Sequence, residues 1–287
     1  MRLLLPFMKF DGAGNDFILI NSSNLPHELS QQQVAALCHR RFGIGADGLM
    51  TLQHGGAGVD FIMRYYNSDG TEASMCGNGG RCIAIFAHMQ GLGRKDPETQ
   101  HKTLHFVGPD GTHDAEVVVW NEDAGMGIVK LGMRSVARSE IRRIAQEHPR
   151  CPVPLDGWFL DTGSPHFVQR VVDLDHYDVV SVGRAIRLLD DLFPGGTNVD
   201  FIEDNDDGTL AVRTYERGVE DETYACGTGV TACALISGNQ RLRTRGGDFR
   251  VTFSPSDDAY ADICLTGPVA FNFKGEVPLD FSDSEQS

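Results

Sequence analysis

The sequence predicts an α+β protein made of two similar domains. Two segments, residues 74–82 and 224–233, each place a cysteine directly before a Gly-x-Gly turn that leads into a short apolar run. A repeat of this length is typical of a duplicated domain rather than of a solenoid unit. Strand patterns outnumber helical patterns in both copies. Cys226 follows Cys76 by 150 positions, and the same offset matches Phe17 with Phe167, Tyr65 with Tyr215, Glu72 with Glu222, Gly77 with Gly227 and Gly79 with Gly229.

The first copy begins with a strand that is interrupted by the Gly-rich turn of residues 11–16. This pattern favours a hairpin or bulge over a ligand-binding loop. Residues 30–42 have helical periodicity with Ser30 as the N-cap. The run from Cys76 to about residue 90 is apolar on most sides, so we expect a buried helix. Alternation and turn residues predict further strands at 49–53, 59–66, 104–107 and 115–120, and a strand at 127–133 that begins the second copy.

The second copy is predicted in the same way. Helices are expected at 137–147 and 181–192, and after Cys226. The basic cluster on the first of these helices, formed by Arg138, Arg142 and Arg143, is expected to be a solvated face. The polar stretch 121–127 marks the domain boundary, which gives an N-terminal domain of residues 1–125 and a C-terminal domain of residues 126–267. The strands expected in this part of the chain are 157–162, 167–172, 197–203, 209–215, 249–253, 260–265 and 269–273.

Composition limits the classes of function. The chain has 287 residues, which fits roughly two domains, and a net charge of −15, which argues against nucleic acid or an anionic membrane as a partner. No apolar run approaches the ~20 residues of a membrane span. The seven cysteines are odd in number and contain no Cys-x-x-Cys pair, so neither a disulfide framework nor structural zinc is expected. We therefore expect reduced thiols, no metal and a cytoplasmic location.

The two cysteine segments predict an anion-binding site with thiols beside it. Glycines allow backbone N–H groups to turn toward one point, and the start of a helix adds unpaired donors and partial positive charge. A cysteine at such a position is expected to have a lowered pKa. Two matching positions suggest that two thiols, Cys76 and Cys226, act on one ligand. Glu72 and Glu222 each precede a thiol by four residues, and they are either turn carboxylates or groups that tune the thiols.

Seven short motifs occur in a fixed order that spans residues 12–229. They are Gly-x-Gly-Asn-Asp-Phe (12–17), Asn-x-Asp-Gly (67–70), Cys-Gly-Asn-Gly-x-Arg-Cys (76–82), Ser-Pro-His (164–166), Asn-Val-Asp-Phe (198–201), Tyr-Glu-Arg-Gly (215–218) and Ala-Cys-Gly-Thr-Gly (225–229). In this order they resemble the diaminopimelate epimerase family. Each motif is weak alone, and the ordered set is specific.

The resemblance implies a cofactor-independent inversion of one α-carbon, between LL- and meso-2,6-diaminoheptanedioate, in lysine and peptidoglycan precursor biosynthesis. It also implies a homodimer and two pseudo-symmetric domains. Each domain would be a curled, mostly antiparallel sheet around a central buried helix, with strand 268–280 returning to the N-terminal domain. Cys76 and Cys226 would be the acid/base thiols, tuned by His166 and Glu216. The substrate-binding set would be Asn15, Asn67, Gly77, Asn78, Ser164, Asn198, Glu216, Arg217, Gly227 and Thr228.

Three positions depart from the family pattern. Ser164 stands where Asn is common, and it retains a hydrogen-bonding group. Gly48 stands where a substrate-contacting Gln can occur, so a side-chain contact is lost. Phe273 stands where a Tyr at the dimer contact can occur.

The chemistry explains why these parts occur together. Removal of an α-proton leaves a carbanion, which two helix N-termini can stabilise through the carboxylate without pyridoxal phosphate. Inversion also needs a base on one face and an acid on the other. Three alternatives remain: a two-thiol proline racemase or hydroxyproline epimerase, a Cys-His acyl hydrolase that uses one thiol, and a non-catalytic anion-binding protein. The remaining cysteines, Cys38, Cys82, Cys151, Cys233 and Cys264, are expected to be core residues.

Overall fold

The computed structural model describes residues 2–281, and these divide into two compact units. The first unit consists of the chain up to Lys130 together with the chain from Pro268 onward, and the second consists of Leu131–Gly267. Within the described residues, no helix combines the length and the apolar character needed to cross a membrane.

The elements of the chain's first half include two α-helices, α1 and α2. In order they are β1 (Arg2–Asp11), β2 (Asp16–Asn21), α1 (Gln31–Cys38), β3 (Gly48–His54), β4 (Phe61–Asn67), α2 (Gly77–Met89), β5 (Arg94–Lys95), β6 (Lys102–Gly108), β7 (Gly111–Asn121) and β8 (Met126–Gly132).

The second half repeats this pattern with two further helices. Its elements are β9 (Val136–Ala137), β10 (Arg142–Gln146), β11 (Leu155–Asp161), β12 (Pro165–Arg170), α3 (Val179–Arg187), β13 (Asn198–Asp204), β14 (Leu210–Glu216), β15 (Asp221–Thr223), α4 (Gly227–Ser237), β16 (Arg241–Thr244), β17 (Gly247–Pro255) and β18 (Ala259–Asp280). Short 3-10 turns lie at Ser22–Asn24, Arg138–Glu140 and Leu174–His176.

The first unit is a sheet curled around α2. Strand β1 pairs antiparallel with β2 and with the end of β18, and β2 runs parallel to β3. Strand β4 follows antiparallel, and β6 runs parallel to it and antiparallel to β7. Helix α2 packs against β1, β2 and β3 and also against β7, which is distant from them in strand order. Residues 77–87 of this helix are all buried, because small and apolar side chains cover every side of it.

The second unit has the same plan. Strand β12 runs parallel to β13, β14 pairs antiparallel with β13 and parallel with β16, and α4 packs against strands from β11 to β17. Residues 227–235 of α4 are buried, and the helix ends at Gly238 with a φ of 76°. That left-handed conformation favours glycine. Helix α3 lies against β13, β14 and β15, and its apolar face joins a core around Phe167, Phe201 and Tyr215.

The helix predicted at residues 137–147 is wrong. This segment forms β9, a 3-10 turn and β10, and β10 pairs antiparallel with β11. The basic cluster remains exposed, but its guanidinium groups also stack on aromatic rings. Arg142 lies 4.6 Å from the ring centre of Phe159, and Arg143 lies 4.5 Å from that of Trp158. The cross-strand pairing of these residues overrides the local helical periodicity.

The end of the chain also differs from its prediction. The two strands expected at 260–265 and 269–273 are one continuous strand, β18, which passes through Gly267-Pro268 without a break. Its residues up to Gly267 lie in the second unit, and those from Pro268 lie in the first. A proline is compatible with a strand where its missing N–H is not needed by the ladder.

Helix α1 has the predicted N-cap, although it ends at Cys38 rather than near residue 42. The Ser30 hydroxyl accepts from the backbone N–H of Gln33 at 3.2 Å, and the Gln33 side chain accepts from the Ser30 N–H at 2.8 Å. Because this reciprocal pair satisfies two helix donors, Ser30→Ala is expected to lower the free energy of unfolding by about 1 kcal/mol. Urea denaturation measures this. Gln32→Ala, at an exposed position of the same helix, is the control and should leave the midpoint nearly unchanged; equal effects would contradict the capping role.

Candidate active site

Cys76 is the N-cap residue of α2 and is half-buried. The glycine-rich turn between β1 and β2 lies beside it, because a side chain at Gly12 would meet the Asn78 carbonyl oxygen at 2.7 Å. This turn is a hairpin, as the sequence favours, and it brings Asn15 to the thiol. The Cys76 Sγ lies 3.7 Å from Asn15 Oδ1. The hairpin therefore supplies a polar neighbour to the first thiol.

Asn15 is held in place by an ion cluster that sequence reasoning missed. Its Nδ2 donates to Asp47 Oδ2 at 2.7 Å, and Arg40 binds both Asp47 and Asp16. Lys9, which is 5% exposed, binds Asp16 from the other side. Arg40 and Lys9 hold the pKa of Asp16 well below its usual range against the opposing effect of burial. The cluster keeps Asn15 oriented toward Cys76.

Two other predicted residues of the first unit have structural partners. Asn67 lies at the end of β4, is exposed, and donates to the Thr71 hydroxyl at 3.1 Å across its turn. Gly48 pairs with Asn67 in the ladder, and a Cβ there would meet the Tyr65 ring at 2.6 Å. With Tyr65 in this position, the strand has no room for a larger side chain. The departure at Gly48 therefore matches its local packing.

Cys226 is the N-cap residue of α4 and is 8% exposed. Burial raises the pKa of this thiol well above its ordinary value, and the nearby charges of Glu216 and Asp200 act in the same direction. The Thr228 hydroxyl, 3.4 Å from the sulfur, and the Gly229 backbone N–H lower the pKa, but by less. The prediction that the helix start lowers the pKa is therefore wrong for Cys226. Removal from water outweighs the helix N-terminus.

His166 lies in a buried hydrogen-bond chain that leads to Cys226. Its Nδ1 lies 2.7 Å from Asp200 Oδ2, and both side chains are fully buried. Its Nε2 lies 2.9 Å from the Thr228 hydroxyl, which in turn contacts the Cys226 sulfur. With Nδ1 donating to the carboxylate, a neutral imidazole presents Nε2 as an acceptor. The chain Asp200–His166–Thr228 thus connects a buried carboxylate to the second thiol.

Asp200 and Thr214 are members of this network that sequence reasoning missed. Thr214 donates to Asp200 Oδ1 at 2.7 Å from the neighbouring strand, β14. The available signal was a single aspartate between apolar residues of a predicted core strand. A buried carboxylate needs such partners, because an unpaired charge in the core is costly.

The remaining predicted residues of the second unit surround His166. Asn198 is 3% exposed, donates to the Pro165 carbonyl at 2.9 Å and accepts from the Arg217 backbone N–H at 2.8 Å. The Ser164 hydroxyl lies 3.0 Å from both His166 Nε2 and the Thr228 hydroxyl. Ser164 thus makes hydrogen bonds despite its departure from the family pattern. Arg217 is exposed and Glu216 is half-buried.

The other cysteines and the paired glutamates have simpler positions. Cys38, Cys82 and Cys233 are buried in the core, as predicted, whereas Cys151 and Cys264 are only half-buried. Glu72 is exposed and lies 3.7 Å from Arg64. Glu222 is half-buried, and its side chain pairs with Arg213 at 2.7 Å. Both glutamates therefore hold arginine side chains, which favours their interpretation as turn carboxylates.

Comparison with known proteins decides the family. The model of the diaminopimelate epimerase family matches residues 7–104 and 158–270, which together make up more than half of the chain. The chain belongs to the diaminopimelate epimerase family. The match falls on two separate stretches, one in each copy of the repeat.

Individual members of the diaminopimelate epimerase family match along almost the whole chain. The diaminopimelate epimerase of Flavobacterium psychrophilum is 38% identical over 94% of this chain and 98% of its own length. That of Chlorobaculum tepidum is 40% identical over 93% of this chain and 99% of its own length. Members from archaea match as well, for example that of Archaeoglobus fulgidus at 36% identity.

Solved structures with the same fold include enzymes that are more distant in sequence than these members of the diaminopimelate epimerase family. A probable proline racemase of Agrobacterium radiobacter superposes with a TM-score of 0.69 at 14% identity, covering 96% of this chain and 93% of its own. A hydroxyproline epimerase of Agrobacterium vitis superposes with a TM-score of 0.65 at 16% identity, covering 98% and 95%. At these identities the likeness shows the fold alone, and it confirms the predicted α+β class.

Proposed function

We propose that this chain interconverts LL- and meso-2,6-diaminoheptanedioate with Cys76 and Cys226 as the acid/base pair. The observation that carries the proposal is the matched position of the two thiols. Each is the N-cap of a buried helix in one copy of a duplicated domain that belongs to the diaminopimelate epimerase family. The proposal assigns residues 1–125 and 126–267 to the two epimerase domains, with 268–280 as the returning strand.

In the proposed reaction, one cysteine as thiolate removes the α-proton and the other as thiol donates a proton to the opposite face. The carbanion is stabilised through the reacting carboxylate by the N-terminal amides of α2 and α4, at Gly77, Asn78, Gly227 and Thr228. Exchange of the two roles gives the reverse reaction. Because the helix N-termini stabilise the charge, the proposal needs no cofactor and no metal.

The remaining polar residues would hold the substrate. Arg217 can bind the distal carboxylate through paired hydrogen bonds, and its exposed side chain is available for this. Glu216 can accept from an ammonium group, while His166 and Glu216 tune Cys226. Asn15 contacts Cys76, and Asn198 positions Arg217 through its backbone. Asn67, Ser164 and Asn198 complete the proposed substrate-binding set, and their hydrogen bonds to protein groups hold the turns on which they lie.

We further propose that the protein acts in the cytoplasm as a homodimer, without nucleic acid or membrane as a partner. A thiol acid/base pair requires reduced sulfur, which a reducing compartment maintains. Phe273 is a large exposed apolar residue that packs edge-on against Phe7, and such a residue suits a contact with a second copy. Light scattering of the purified protein gives the mass that checks the dimer.

Proton NMR of the reduced protein in deuterated water tests the reaction and its substrate. With LL-diaminopimelate and no added cofactor, deuterium is expected to enter the α-position as the meso isomer forms. Exchange on proline but not on this substrate would keep the thiol chemistry and reject the substrate. Absence of exchange on both would reject the epimerase and favour the hydrolase or the anion-binding protein.

A further inference from the structure

The two copies of the domain differ in charge at two matched positions near the thiols. The fifth residue of α2 is Arg81, and the fifth residue of α4 is Thr231. The third residue of β3 is Met50, and the third residue of β13 is Asp200. The duplicated fold therefore places a cation beside one thiol and a carboxylate beside the other.

Arg81 places its charge at the start of the helix that Cys76 caps. It is fully buried, and its Nη1 donates at 3.1 Å to the carbonyl of Gly77, the residue that follows Cys76. Its Nη2 donates to Asn78 Oδ1 at 3.0 Å. These acceptors are neutral. Burial lowers the pKa of Arg81 to about 10, so the guanidinium remains charged at neutral pH. In the second copy, the uncharged Thr231 hydroxyl binds the equivalent carbonyl, that of Gly227, at 2.9 Å.

Met50 and Asp200 occupy the same place relative to the Gly-x-Gly turn. A Cβ at Gly79 would lie 3.0 Å from Met50 Cε and 3.7 Å from the Cys76 Cβ. A Cβ at Gly229 would lie 2.5 Å from Asp200 Oδ1. The neutral thioether of Met50 therefore packs at the start of α2, and the carboxylate of Asp200 packs at the start of α4.

Other charged groups near the thiols do not reverse this difference. Beside Cys76, the hairpin cluster contains two cations and two anions, namely Lys9, Arg40, Asp16 and Asp47. Asp11 and Cys82 are the further titratable groups that act on Arg81. Asn15 Oδ1, 3.7 Å from the Cys76 sulfur, favours a thiol there, but a neutral oxygen at this distance acts more weakly than a full charge. Beside Cys226 lie Asp200, Glu216, Cys233 and the imidazole of His166.

We propose that Arg81 and Asp200 are positioning residues for the catalytic proton, which hold the resting pair as a Cys76 thiolate and a Cys226 thiol. This inference rests on the proposed function, in which both thiols act. From this state Cys76 takes the α-proton, and the Cys226 S–H bond breaks as its proton joins the opposite face of the carbon. The enzyme then holds a Cys76 thiol and a Cys226 thiolate. Loss of a proton from Cys76 to water and gain of one by Cys226 restore the resting state.

Cysteine titration by NMR tests the assignment without turnover. In protein isotopically labelled at cysteine Cβ, the Cβ shift reports ionisation even where a reagent cannot reach the sulfur. Arg81→Met is expected to raise the pH midpoint of Cys76 by about one unit or more, because a nearby cation is lost. Arg81→Lys keeps the charge and should restore a midpoint near that of the parent protein. Arg2→Met, which removes an exposed charge of the same unit, is the control and should leave the midpoint unchanged.

Asp200→Asn is the second variant for this titration, and it tests the proposal even if Arg81→Met does not fold. It is expected to lower the pH midpoint of Cys226 by about one unit or more while the midpoint of Cys76 stays in place. Unchanged midpoints in the folded variants, or a resting Cys226 thiolate in the parent protein, would overturn the proposal. Deuterium exchange separates this outcome from failure of the proposed function. Shifted midpoints in a protein without exchange would reject the epimerase only, whereas exchange without shifted midpoints would reject this inference only.

Discussion

Replacement of Cys226 by alanine is expected to lower kcat for conversion of LL-diaminopimelate by about 1000-fold, and Cys76→Ala is expected to do the same. In the proposed mechanism each variant lacks one of the two groups that exchange protons with the α-carbon, and positioned acid/base groups contribute rate factors of this order. Burial raises the pKa of Cys226, which favours the thiol form that the proposed mechanism needs for proton donation. Circular dichroism of the product mixture over time measures the rate.

The control for this prediction is Cys151→Ala, which removes a half-buried thiol outside the two motifs. Its kcat should remain within about twofold of the parent value, because the change removes one partly buried sulfur outside both motifs. A single-thiol hydrolase would keep its activity in the Cys226 variant. Retention of epimerase activity by either motif variant would therefore contradict the two-thiol mechanism.

Gly229→Ala is expected to lower kcat by about 100-fold. The added methyl group would meet Asp200 Oδ1 at 2.5 Å and His166 Cε1 at 3.1 Å. Both side chains are fully buried and hydrogen-bonded to each other, so they cannot move aside without disturbing the contact from His166 to Thr228. Misplacement of catalytic groups by about 1 Å costs a rate factor of this order. Steady-state kinetics give kcat, and urea denaturation separates a loss of activity from a loss of fold.

Gly79→Ala is the matched control, since it adds the same methyl group at the same place in the first copy. There the nearest atoms are Cε and Sδ of Met50, at 3.0 and 3.1 Å. A methionine end is flexible and can give way, so we expect a loss of kcat below about tenfold. Equal losses in the two variants would show that the buried His166–Asp200 pair has no special role.

Much of the fold could be predicted because both copies repeat strong local signals. The buried helices α2 and α4 follow from runs of small and apolar residues that begin at a glycine-rich turn. The helix predicted at 137–147 was wrong because the apolar residues there have helical spacing, whereas the strand that pairs with this segment, β11, lies elsewhere in the sequence. Cross-strand stacking of Arg143 on Trp158 is a tertiary contact that no local pattern contains.

The candidate site, like the fold, could be predicted only in part from the sequence. The positions of Cys76 and Cys226 follow from short motifs, because a helix start needs only a few residues to specify it. The pKa of Cys226 could not be predicted, since it depends on how deeply the sulfur is buried and on which carboxylates lie near it. Asp200 was part of a recognised motif, yet its role depends on partners from β12 and β14. Such contacts between strands exist only in the folded unit.

Pairing of β1 with β18 has a consequence for synthesis of the chain on the ribosome. Arg2 pairs with Asp280, so one side of β1 finds its full partner only after synthesis has passed residue 280. All of residues 131–267 emerge before that partner does, and the second unit can therefore complete most of its folding first. Until then β1 presents an unpaired edge with apolar side chains, which is a site of aggregation in nascent proteins. The first unit is therefore closed by a segment that is synthesised after all of residues 131–267.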